Sequence, residues 1–235
     1  MNTRLSFSSP PTTSVWEREY ASLHSIPGSL RETPAKVLLE LWRCLPKRFD
    51  ADPVLDAGCG AGRNAIYVAS QGYRVEAVDA SESALEIFRS RLRECRASER
   101  ITIRRLSLDE RLPFPDGTFS IVLDIYVSCH FLEDARRDAY WDELRRLLRP
   151  GGYALTAFFS TEDEYYRRLI HQEDGGSPTV VDPVNSIAKR LYQPEELRLA
   201  LESKLTVVDL VPVTFDDIVL GTSYRRSILG CLLRR

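Results

Sequence analysis

The 235-residue sequence lacks most of the signatures that would name a chemistry at once. It has three histidines, His24, His130 and His171, and none stands at ligand spacing from another histidine or a cysteine. No bound metal is expected. Its five cysteines, Cys44, Cys59, Cys95, Cys129 and Cys231, are odd in number and scattered, with no C-x-x-C pair. That usage fits reduced, mostly buried thiols better than a disulfide framework or a zinc site. No apolar run approaches the length of a bilayer span, and the N-terminus has no signal-like apolar core. A cytoplasmic protein with no membrane partner is therefore expected. Charge is nearly balanced at a net −2, which gives no global attraction to nucleic acid. No Ser-His-Asp or paired-carboxylate signature is apparent either.

What is present is the composition of one globular α/β domain, 43% hydrophobic and 28% charged. Residues 1–14, rich in Ser, Thr and Pro, read as a disordered tail, and 15–235 as a single domain. Residues 15–48 form a helical cap: a short helix with Trp16, Tyr20 and Leu23 at helical spacing, then a second that starts at Thr33-Pro34. From Pro53 strands and helices alternate. Strands are expected at Val54–Asp56, Tyr73–Val78, Ile101–Leu106, Phe119–Ile125 and Tyr153–Phe159. Helices are expected at Arg63–Ser70, from a Ser81 cap to Cys95, and at Asp138–Leu148. Residues 161–192 show no clean strand and read as an insert that covers the substrate. Residues 193–235 give a helix and two strands, Thr206–Phe215 and Tyr224–Leu233, joined by the loop Asp216–Ser223. That loop is too short for a helical crossover, so the last pair is antiparallel. The expected fold is a Rossmann-like, doubly wound α/β sheet of seven strands, mostly parallel, with a C-terminal antiparallel hairpin.

The densest signal is V-L-D-A-G-C-G-A-G, residues 54–62, with glycines at 58, 60 and 62. A strand that ends in such a turn lets backbone approach a ligand closely, and the helix after it offers free N–H groups. The spacing is G-x-G-x-G; a dinucleotide fingerprint needs G-x-G-x-x-G, and its third glycine is Arg63 here. No lysine follows at phosphate-loop spacing. Asp56, just before the turn, would repel a phosphate but can pair with a ligand ammonium. Asp79, at the end of the second strand, lies where open α/β sheets bind ligands and can accept two ribose hydroxyls.

Four segments in order, V-L-D-A-G-C-G-A-G-R-N-A, V-E-A-V-D-A-S, R-L-P-F-P-D-G-T-F and L-R-R-L-L-R-P-G-G, resemble class I S-adenosylmethionine-dependent methyltransferases over residues 53–160. The G-R-N-A-I-Y-V-A continuation is similar to small-molecule members, including the tellurite-resistance type. The resemblance implies S-adenosylmethionine as cofactor. By it, Asp56, Gly58, Cys59, Gly60 and Gly62 line the methionine end, Arg63 is a further cofactor-binding candidate, Asp79 holds the ribose, and Ala80 lies beside the adenine. Relatives place an aspartate at the position of Leu108 to meet the adenine amino group; here the acid is one residue later, Asp109, so both are candidates.

Methyl transfer from a sulfonium is an in-line displacement that needs alignment and dryness more than a strong base. The segment Asp124–Phe131, D-I-Y-V-S-C-H-F, is expected under the methyl. Asp124 and His130 are candidate proton acceptors, Tyr126 an acceptor contact, and His130 can alternatively cap or pack the next helix. Trp16 and Tyr20 are candidates to cover the site. In the insert, Tyr165, Tyr166, Arg167, Arg168 and His171 either face a pocket for an anionic molecule or, for the arginines, form a solvated face; D-P-V-N and K-R-L-Y follow. The function read from the sequence is methylation of a small molecule at O, N or S, by a monomer or homodimer. The alternatives are an RNA or protein methyltransferase and a non-catalytic cofactor-binding partner.

Overall fold

Val54–Ala57 (β1) is buried at all four positions, because its neighbours in the sheet lie on both sides and helices cover both faces. A computed structural model describes residues 12–22, 30–46, 53–170 and 178–235. It opens with helices Thr12–Ser22 (α1) and Lys36–Cys44 (α2). After β1 come Arg63–Ser70 (α3), Val75–Asp79 (β2), Glu82–Leu92 (α4), Ile101–Arg105 (β3) and Phe119–Ile125 (β4). Asp134–Leu147 (α5), Leu148–Ser160 (β5) and the short Glu164–Arg167 (α6) follow. The chain ends with Thr179–Val181 (β6), Ala188–Tyr192 (β7), Pro194–Glu202 (α7), Thr206–Val219 (β8) and Thr222–Arg234 (β9). Among the described residues, no helix is long and apolar enough to cross a membrane.

Strands β1 to β5 are parallel in the order β3-β2-β1-β4-β5. Alternate strand residues feed two cores, as the two-residue period of a strand requires. Val54, Ile121 and Leu155 meet α2, α3 and α4 through Leu38, Val68 and Phe88. Leu55, Val122 and Ala154 meet α5 and α7 through Leu144 and Leu197.

Beyond β5 the structure differs from the seven-stranded expectation. The far edge of β5 is shared. Residues Tyr153–Phe159 pair antiparallel with β9, and Phe159–Ser160 pair parallel with β7. The insert thus adds two strands, β6 and β7, and the described sheet has nine. Three-residue β6 is too short to leave an alternating pattern. The C-terminal hairpin is also tighter than its acidic and polar residues suggest. Asp216 and Asp217 are in β8, paired with Arg225 and Tyr224, and the turn is only Leu220-Gly221, both left-handed. Helix α2 starts two residues after Pro34, where the Ala35 N–H donates to the Asn64 side chain at 3.0 Å. Ser81 caps α4 as its position predicts, accepting from the Ala84 N–H at 3.1 Å.

Candidate cofactor and acceptor site

The glycine turn leaves β1 with Gly58, Gly60 and Gly62 all in the left-handed region. A Cβ at each would strike Val127, the Tyr20 hydroxyl and the Phe88 ring respectively. The turn is therefore held between α1, α4 and the segment after β4, and only glycine fits it. Its backbone faces a cavity of about 290 Å³ above the C-terminal ends of the strands.

One end of this cavity is organised by Asp79. Gly60 N–H donates to Oδ2 at 2.8 Å and Ser81 N–H to Oδ1 at 2.9 Å, which leaves each oxygen a further acceptor site. Burial raises this carboxyl against the pull of those amides and that of Ala80. Ala80, Ser107, Leu108 and Asp109 continue the wall, with Asp109 paired to Arg136 at 2.5 Å. Tyr20 and Trp16 close it from α1. Glu17 fastens that helix, accepting from the Ser83 hydroxyl at 2.6 Å and the Ser81 hydroxyl at 2.8 Å at the start of α4. Those hydrogen bonds, the Ser83 hydroxyl first, hold the Glu17 carboxyl below its ordinary range.

Cys59, Arg63, Tyr126 and His130 also line the cavity. Arg63 lies within ion-pair distance of no described carboxylate; burial draws its pKa down. Asp56 stands behind the turn, off the wall and 1% exposed, with Oδ2 unpartnered. Burial, then the Asp79 charge, pushes it up to about 7. On the wall itself, a guanidinium with no described carboxylate partner and a two-oxygen hydroxyl acceptor suit the carboxylate and ribose of S-adenosylmethionine, while Asp56, off the wall, does not reach an ammonium there. Gly62 is likewise off the wall and serves packing against Phe88.

The general "Methyltransferase domain" family matches residues 54–152, the stretch that carries the glycine turn, Asp79 and β4. Residues 54–152 thus form a methyltransferase domain of the class I S-adenosylmethionine-dependent type. A Xenopus tropicalis tRNA (carboxymethyluridine(34)-5-O)-methyltransferase is 33% identical over 167 residues, covering 67% of this chain but 24% of that protein. The chain thus spans about a quarter of that relative's length. A Methanosarcina mazei S-adenosylmethionine-dependent methyltransferase has the same fold, with a TM-score of 0.68 at 16% identity over 86% of this chain and 98% of its own. So does a Burkholderia thailandensis 1,6-didemethyltoxoflavin-N1-methyltransferase, solved with its substrate and S-adenosylhomocysteine, with a TM-score of 0.62 at 19% identity over 97% and 92%. The cofactor of this methyltransferase is S-adenosylmethionine.

Asp124 does not reach the cavity. It is fully buried and accepts from the Ser128 N–H and hydroxyl, the Thr156 hydroxyl and the Tyr140 hydroxyl at 2.6 to 3.0 Å. Four donors make it an anchor for the turn after β4, and burial raises its carboxyl. His130 does line the cavity, but its Nδ1 is 2.8 Å from the Ala188 carbonyl and its ring meets Trp16 edge-on. Burial first, then the Lys189 charge, push it down to about 3. It is a neutral imidazole that ties β7 to this turn. Tyr126, at φ +65°, turns its ring onto Phe159, with centroids 5.0 Å apart. Burial pushes its hydroxyl up to about 12.

Of the insert residues, Tyr166 lines the cavity while Tyr165 and Arg168 do not. Tyr165 is buried behind it, and exposed Arg168 stacks on Tyr165 and Tyr224. His171 lies outside the described residues. Lys189 and Asn185, within the K-R-L-Y and D-P-V-N segments, are on the wall, as are Arg31, Asp217 and Arg226. The last three left no motif in the sequence: β8, β9 and the stretch before α2 bring them together from positions almost 200 residues apart.

Proposed function

We propose that this methyltransferase methylates a small, anionic molecule at O, N or S. The observation that carries the reading is continuity: one cavity runs from Asp79 at the nucleoside end past Tyr126 to the aromatic end at Phe159 and Tyr166. Bound S-adenosylmethionine supplies an electrophilic methyl on a good leaving group. Asp79 would hold the ribose hydroxyls, Arg63 the carboxylate, and the glycine turn the methionine backbone. Trp16 and Tyr20 exclude water from above, and Tyr126 and Phe159 align the acceptor. His130, neutral and hydrogen-bonded, keeps this geometry and is a weak base at best.

The test is calorimetric binding of S-adenosylhomocysteine, followed by turnover of labelled S-adenosylmethionine against a panel of small acids. Binding with turnover of an acid is the expected result; absence of cofactor binding sinks the enzyme reading. A second reading, RNA methylation, is supported by the similarity to the frog tRNA enzyme. Tight binding of bulk tRNA that weakens steeply with salt would replace the first reading with it.

A further inference from the structure

We infer that the acceptor end of the cavity receives an aromatic carboxylate, with its carboxylate on Lys189 and its ring against the Tyr126–Phe159 stack. The inference rests on the methyl-transfer reading above and names its substrate class.

Lys189 comes from β7 and is 3% exposed, yet it lines the cavity. Its ammonium has three protons. One goes to the Tyr166 hydroxyl at 2.7 Å and a second faces Asp182 Oδ2 at a loose 3.5 Å. Asp182 is a poor partner because it is already committed. It accepts from the Val184 N–H at 2.9 Å, the Tyr166 hydroxyl at 3.2 Å and the Tyr165 hydroxyl at 3.4 Å. A third ammonium proton is left for an occupant of the cavity.

The charges around it favour an anion. The wall carries Arg31, Lys36, Arg63, Lys189 and Arg226 against Asp79, Asp109 and Asp217; Lys36 is exposed, and Arg226 is paired off the wall with Asp163 at 2.9 Å. Asp109 is matched by Arg136, and Asp217 by Arg31 at 2.5 Å with Arg226 at 3.6 Å. A sulfonium brings a further permanent cation. Arg63 meets no described carboxylate and Lys189 only the committed Asp182, so a carboxylate acceptor finds buried cations with capacity to spare that a neutral acceptor leaves unused.

The walls favour a flat molecule. Tyr126 and Phe159 are stacked at 21°, and Tyr166 meets Phe159 edge-on with centroids 4.9 Å apart. Lys189 Nζ is 5.4 Å from the Phe159 centroid, so the ring platform and the charge are within the reach of one aryl carboxylate.

The experiment compares 4-hydroxybenzoate with 4-hydroxybenzamide by calorimetry on the full chain saturated with S-adenosylhomocysteine. The expected result is about tenfold or greater preference for the carboxylate, which Lys189→Met abolishes and Lys189→Arg largely keeps. The affinity for S-adenosylhomocysteine should be the same in all three proteins. Equal binding of the two probes by the native protein, or binding of neither, overturns the inference without needing any variant to fold. A preference that survives Lys189→Met overturns it too, as does a loss of S-adenosylhomocysteine affinity in that variant, which would make Lys189 a cofactor ligand. Failure of the native protein to bind S-adenosylhomocysteine removes the methyl-transfer reading itself.

Discussion

Gly60 and Asp79 are joined across adjacent strand ends: the glycine N–H donates to the carboxylate at 2.8 Å, so the turn and the proposed ribose acceptor form one rigid unit. Asp79→Asn replaces one acceptor oxygen with a donor that faces either an N–H or a ligand hydroxyl. The variant should weaken S-adenosylhomocysteine binding by about 10- to 100-fold in calorimetry. Unchanged affinity would put the ribose elsewhere.

Gly62→Ala tests the packing role of the third glycine. At φ +83° an alanine is strained, and its methyl would enter the Phe88 ring. A loss of about 2–5 kcal/mol in urea denaturation is expected from strain and overpacking together. Gly72→Ala is the control: φ is +97° but the space is open, so only backbone strain of about 1–3 kcal/mol remains. Equal losses in the two would show that Phe88 moves aside freely.

Asp124→Asn turns an acceptor of four hydrogen bonds into a group that must also donate. Stability should fall by about 2–4 kcal/mol, with little change in S-adenosylhomocysteine affinity once folded. Full stability with lost turnover would instead mark Asp124 as a proton acceptor.

His130→Asn probes a pH dependence. The native ring protonates near pH 3, below its ordinary value of 6.5. The unfolded chain therefore binds this proton first, so the stability His130 supplies is full above pH 6.5 and is lost as pH falls toward 3. Thermal unfolding between pH 6.5 and 4.5 should show a smaller loss in His130→Asn than in the native protein. Its turnover at pH 8 should stay within about tenfold of native; a larger loss would assign the imidazole a proton-transfer role.

The glycine-turn part of the cavity wall was legible because its residues are local in sequence. Gly58, Gly60 and the residues beside them lie within one turn, and Asp79 ends the next strand. The acceptor half was not, because it is assembled by long-range pairing. Lys189 reaches the cavity only because β7 docks on Phe159 and Ser160, and Arg226 only because β9 turns beside Asp163, whose carboxylate it meets at 2.9 Å. Asp124 was misleading for a different reason. A carboxylate at the end of a buried strand reads the same in sequence whether it faces a ligand or four hydroxyl and amide donors. Leu220-Gly221 lies inside the expected loop Asp216–Ser223, but its two-residue length was hidden because leucine rarely adopts φ +50°.

The shared edge of β5 separates two kinds of inheritance. Its lower part is zipped to β9 over seven residue pairs, and its upper end to β7 over two. The lower ladder secures the scaffold that carries the glycine turn; the upper one hangs the wall that carries Lys189 from that scaffold by a short seam. On the proposed function, exchanging residues 161–192 between relatives would retailor the choice of acceptor while the glycine turn keeps its shape, a grafting site written into the hydrogen-bond pattern of a single strand.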